Sequence, residues 1–194
     1  MPQRLAVRPL SNNVSAGVAA AGNEAINFFA FSRLGKALNK SQLGIVGETV
    51  TIRYFRDVEG FSYINKLKLP SNQGFDAVFE TVRNGRPLLY VVEAKANTAG
   101  LAKGQMTDDW IRKTCQKMMG PKCTTKQRVV AKRILNALKL GELQKVLSKV
   151  DVNNESITWM RLDKDAKIIG GKFSDVITNI IQKAKVDVLR GEVS

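Results

Sequence analysis

The 194-residue chain contains no histidine. That absence removes the side chain most suited to proton transfer near neutral pH, the Ser-His-Asp triad and the His-ligated zinc sites together. Cysteine is scarce: Cys115 and Cys123 are too few and too poorly spaced for a disulfide framework or a zinc ribbon, and read as reduced thiols. No repeat or low-complexity tract is present. Acidic residues are in the minority, with 17 Asp and Glu against 31 Lys and Arg and a net charge of +14. Such a surplus implies a polyanionic partner, nucleic acid ahead of a membrane surface or an acidic protein. No uninterrupted apolar run is long enough to span a bilayer. Val14 to Leu38 comes nearest, but Asn23, Glu24, Asn27 and Arg33 interrupt it, so it reads as an amphipathic helix rather than a stable membrane insertion. The polar opening also lacks the apolar core of a signal peptide. The length suits one compact domain, placed at 44–194, preceded by a helical extension over 1–43.

With histidine gone, catalysis falls to carboxylates, Lys, Gln or Tyr. Phosphodiester chemistry would then need an oxygen-liganded cation, Mg²⁺ or Mn²⁺ ahead of Zn²⁺. The stretch that could hold one is a pair of apolar runs, Gly74–Phe79 and Leu88–Lys95, joined by Asn84-Gly85. Asn-Gly is the strongest short hairpin signal, because a type I′ turn needs positive φ at both central residues. If these two form the turn, paired positions sum to 169 and Asp76 faces Glu93. Counting outward from the turn makes this a non-hydrogen-bonded pair, with Cα atoms roughly 4.5 Å apart and both side chains on one face. Pro87 falls on the same kind of pair, where its missing N–H is not needed. Facing carboxylates repel unless something positive lies between them. Lys95, two residues past Glu93 on the same face, supplies part of that charge, and a divalent cation would supply the rest.

Around the hairpin, Gln42–Phe55 reads as a helix carrying Glu48, with strand a competitor because of Thr49, Val50, Thr51 and Ile52. Phe61–Leu69 reads as a strand or extended lead-in. A helix is expected from about Gln105 to Met119, a long one from Thr125 to Val150 with Gly141 as a candidate break, a short hairpin over Ile157–Ile169 around Asp163-Lys164-Asp165, and a closing helix over Ser174–Leu189. The fold class is therefore α/β, a central mixed sheet flanked by helices. Lys103, Lys126, Arg128, Lys132 and Arg133 are the candidate phosphate-backbone contacts. Trp110 and Tyr90 read as core residues.

In chemical terms, Asp76 and Glu93 would bind the cation, with the Ala94 carbonyl as a further ligand. Lys95 would orient a water or offset the charge of the transition state, Gln105 would position the water or a phosphate oxygen, and Glu48 would complete the metal shell. The runs Gly74-Phe75-Asp76, Glu93-Ala94-Lys95 and Gly104-Gln105-Met106-Thr107-Asp108-Asp109-Trp110-Ile111 resemble the PD-(D/E)xK nuclease superfamily. More narrowly they are similar to the C-terminal toxin domains of bacterial polymorphic toxins and contact-dependent growth inhibition proteins. The likeness covers roughly Gly44 to Trp110, and this chain has no Pro immediately before Asp76. It implies a restriction-endonuclease-like core and a metal-dependent nuclease acting on tRNA or DNA. It also implies delivery, as the C-terminal part of a larger surface protein, into the cytoplasm of a target bacterium, with an immunity protein neutralising the toxin in its producer. The family's helical Glu maps to Glu48, with Glu24 as the alternative, and 1–43 would be a translocation segment. The competing reading is a non-catalytic basic nucleic-acid-binding module.

Overall fold

The computed structural model describes residues 38–69 and 73–192. The apolar helix expected at 14–38, apart from Leu38, and the alternative Glu24 lie outside the described residues. From Leu38 onward the chain packs as one unit. The expected domain start at Gly44 falls inside the first helix, α1 (Lys40–Arg53), which Asn39 opens with a capping box shared with Gln42. The helix runs on into a π-helical turn, Tyr54–Val58.

Strand β1 (Ser62–Lys68) leads to the hairpin β2 (Gly74–Arg83) and β3 (Arg86–Ala96). Asn84 and Gly85 adopt φ of 53° and 73°, the left-handed pair that a type I′ turn demands. Every ladder pair from Arg83/Arg86 to Ala77/Val92 then sums to 169, and the next step outward is Asp76 and Glu93. After two short helices, α2 (Asp108–Met118) and α3 (Thr125–Leu140), come β4 (Leu143–Asp151), β5 (Ser156–Leu162), β6 (Ile168–Val176) and α4 (Thr178–Arg190). The six strands lie in sequence order in one mixed sheet, antiparallel except where β4 runs parallel to β3.

Each face of the sheet is closed by its own helices. On one, Val46, Val50 and Phe55 pack with Phe79, Val92, Val146 and Ile181, so α1 and α4 lie on that side. Their contact is tied by the Arg53–Asp187 ion pair, and a buried Thr51 Oγ1–Ser148 Oγ hydrogen bond of 2.8 Å joins α1 to β4. On the other face, Ile111, Cys115, Met118, Val130 and Ile134 of α2 and α3 pack on Val78, Val91 and Leu147.

Three expectations are corrected. The helix expected through Val150 stops at Leu140, where Gly141 takes φ 71° and its amide caps Ala137 and Leu138, and the remainder is β4. This strand mixes buried Lys145 and Ser148 with Val146, Leu147 and Val150, and so short a run carries no periodicity that separates strand from helix. The closing helix begins at Thr178 rather than Ser174, because β6 stays paired with β5 as far as Val176, opposite Ser156. The helix expected from Gln105 begins at Asp108, with Thr107 as its cap.

Where β1 meets β2, Lys68 pairs with Gly74. Gly74 has φ 143°, and a Cβ there would lie 2.0 Å from the Leu67 carbonyl oxygen. Any side chain must push β1 away from β2. Gly74→Ala is expected to cost more than about 2 kcal/mol in urea unfolding, whereas Gly60→Ala, at a positive-φ glycine with open space around it, costs less.

Candidate active site

Asp76 and Glu93 are each 3% exposed. Two carboxylates so deeply buried need partners, because an uncompensated buried charge is far costlier than an exposed one. Asp76 has two: Oδ1 accepts from Lys68 Nζ, and Oδ2 accepts from the Ala94 amide at 2.8 Å. Glu93 Oε1 accepts from Lys95 Nζ at 2.7 Å and from Gln105 Nε2 at 2.6 Å. Its second oxygen, Oε2, is buried and has no hydrogen-bond partner.

Glu48 approaches from α1, with Oε1 3.6 Å from Lys68 Nζ, so the Lys68 ammonium bridges Glu48 and Asp76. Helix α1 comes this near because Gly47 sits against the end of β3: a Cβ there would be 3.3 Å from Ala96 Cβ. Gln105 is held by a turn rather than by a helix. Gly104 and Met106 flank it at φ 76° and 67°, Met106 is fully buried, and the Ala102 amide donates to Gln105 Oε1 at 3.0 Å, which turns Nε2 toward Glu93. A non-glycine residue at positive φ is strained, and such strain persists only where the surroundings fix it. Beyond the turn, the start of α2 is pinned to the sheet by the buried Lys145, whose Nζ lies 2.6 Å from Asp108 Oδ1. Trp110 packs edge-on against Phe75 at 5.5 Å, the core position expected of it.

Burial, and after it the neighbouring Asp76 charge, push the Glu93 carboxyl up to about 7, with Lys95 and Lys68 holding it back. For Lys68, burial disfavours the ammonium, but Asp76, by charge and hydrogen bond, and then Glu48 outweigh it and hold its pKa above the ordinary lysine value.

Asp76, Glu93, Lys95, Gln105 and Glu48 are all brought to one place. Lys68 joins them without having been anticipated: two register irregularities in β1 hide which residue faces Asp76, and the sequence signal was a lysine two residues before Pro70. The basic residues of α3 are not gathered there. Arg128 donates to the Cys123 carbonyl at 2.6 Å, and Arg133 pairs with Glu80, four residues along β2 from Asp76. Lys126 and Lys132 are exposed on α3, and Lys103 is exposed in the loop beside Gln105.

Among the described residues no three acidic, cysteine or histidine side chains stand as a preformed metal cage. The donor set nevertheless suits a hard cation, since it is all oxygen and includes the unpartnered Glu93 Oε2. Asp76, Glu93 and Glu48 are the residues that would hold one. Among the described residues no helix is long and apolar enough to cross a membrane. No family model, curated protein or solved structure matches the chain.

Two outcomes are expected. A carboxyl whose pKa is raised on folding favours the folded state below its unfolded value, and that contribution disappears as pH rises through the folded one. Wild-type stability relative to Glu93→Gln should thus fall between about pH 4.5 and pH 7 and level off above, with a slope of up to about 1.4 kcal/mol per pH unit. Removing the Lys68 charge leaves Asp76 buried and without its ammonium. In chelator Lys68→Met should lose roughly 3–5 kcal/mol, and added Mg²⁺ or Mn²⁺ should raise its melting temperature more than that of wild type.

Proposed function

We propose that the chain is a metal-dependent endonuclease of the PD-(D/E)xK kind, the toxin domain of a bacterial competition protein that an immunity protein neutralises. The observation that carries this reading is the hairpin register, which brings Asp76 to Glu93, with Lys95 from the same strand and Gln105 from the turn before α2 both on Glu93 Oε1. A mixed sheet between two helical layers suits the restriction-endonuclease-like core, and the net charge of +14 suits a polyanionic substrate. The slight preference for tRNA over DNA comes from the resemblance alone.

When bound, the cation would polarise a phosphoryl oxygen and acidify a water. The protein's own groups do the rest. Asp76 is fixed by the Ala94 amide and Lys68, so its carboxylate cannot turn away from the site. Glu93 would offer its unpartnered Oε2 to the cation, while Lys95 and Gln105 hold its Oε1 in place. Lys95 keeps a positive charge beside Glu93 where the phosphate gathers negative charge, and Gln105, locked by its turn, presents an amide to the same spot. Lys68 keeps Glu48 and Asp76 from repelling each other before the cation arrives.

Purified protein incubated with tRNA or plasmid and Mg²⁺ is expected to cut at least one of them, and Asp76→Asn and Lys95→Met should each lose at least about 10²-fold in rate. Failure to cleave either polymer with Mg²⁺, Mn²⁺ or Zn²⁺, alongside salt-sensitive binding unaffected by Asp76→Asn, would instead establish the non-catalytic binding module. Induced expression in bacterial cytoplasm should halt growth for wild type and not for Asp76→Asn.

A further inference from the structure

Past Lys95 the sheet face that carries Glu93 opens into a cavity of about 350 Å³, whose lining includes Asn97 just past β3, Leu147, Lys149 and Asp151 of β4, and Ser156, Thr158 and Met160 of β5. Glu93 pairs with Leu147 and Lys95 with Lys149 in the parallel ladder, so cavity and candidate active site are contiguous. Neighbouring strands lie about 4.8 Å apart, which sets two lysines side by side.

Their situations differ. Lys95 is engaged by Glu93. Asp151, the acid two residues from Lys149 on the same strand, is occupied otherwise: its Oδ1 accepts the Asn153 and Asn154 amides at 3.0 and 2.9 Å, and its Oδ2 accepts Asn154 Nδ2 at 2.8 Å. Lys149 makes no ion pair among the described residues. Like charges side by side on a sheet are destabilising, and an anion laid between them relieves this.

The rest of the cavity is built for more than a phosphate. Leu147 and Met160, both buried, give it an apolar floor, while Ser156 and Thr158 give it a hydroxyl rim. Asn97 makes one wall rigid, since its amide donates to the Val150 carbonyl at 2.8 Å and its Oδ1 accepts the Val152 amide at 2.9 Å. The volume falls at the lower end of the range of small-ligand sites, roughly 300–1,000 Å³.

We propose that this cavity seats an unpaired nucleotide adjoining the scissile phosphate, its base over Leu147 and Met160 and its own phosphate on Lys149. The inference rests on the nuclease reading and deepens it: the substrate is single-stranded where it is cut. A duplex keeps its bases stacked and would offer phosphates only to the rim, whereas an unpaired base can leave the strand and fill the hollow.

Lys149→Met and Ser156→Phe test this. With a single-stranded oligonucleotide, Lys149→Met is expected to raise KM about tenfold while kcat falls by less. In an Asp76→Asn background it should reduce the slope of log binding constant against log salt by about 1, the signature of one lost phosphate contact. Ser156→Phe, which fills the hollow without removing charge, should weaken single-strand binding and leave binding of a duplex of equal length unchanged. A fall in kcat with KM unchanged, an unaltered salt slope, or equal losses for single strand and duplex would each overturn the assignment while leaving the nuclease reading intact. If the wild type cleaves nothing, the nuclease reading falls and the two binding measurements alone decide the cavity's role.

Discussion

Holding two carboxylates together in a dry place is the demand that shapes this protein. Asp76 and Glu93 lie on neighbouring strands under a helical layer, and in so poorly solvating a setting their repulsion is large. Each nearby element offsets some part of it. Strand β1 brings Lys68, strand β3 brings Lys95 and the Ala94 amide, and the turn before α2 brings the Gln105 amide. Without those donors the hairpin would be driven apart at its open end; with them it becomes a site that discriminates by charge.

The donors are not equivalent. Ala94 and Gln105 contribute dipoles whose positions are set by backbone, and these persist whatever occupies the site. Lys68 and Lys95 contribute full charges on flexible stems, which can move aside. Lys68 in particular bridges two acids, Glu48 and Asp76. In other respects the site follows the ordinary rule that buried charges are kept only where each is answered.

Local chemistry made much of this visible from sequence. Asn84-Gly85 fixed a turn, the turn fixed a register, and the register put Asp76 at Glu93 without any knowledge of the remaining chain. The turn at Asp163 was legible for a similar reason, its carboxylate capping the amides of Asp165 and Lys167. What stayed hidden depended on distant partners. Leu143–Asp151 has no periodicity of its own that separates strand from helix, and becomes β4 because β3 and β5 offer it hydrogen bonds on both sides. Lys68 reaches Asp76 only through a strand whose register shifts twice. Gln105 was placed at a helix start, whereas the left-handed residues on both sides of it hold it in a turn.

One consequence of the β1–β2 contact concerns how freely this sequence can drift. Chemistry at the site tolerates some exchange in principle, since one carboxylate or one cation can stand in for another at a loss. Gly74 admits nothing, because the space a side chain would need is already filled by the Leu67 carbonyl. A position near the site that carries no functional group is thus constrained by sterics alone. Where the two strands can meet is therefore set by a residue defined by its lack of substance.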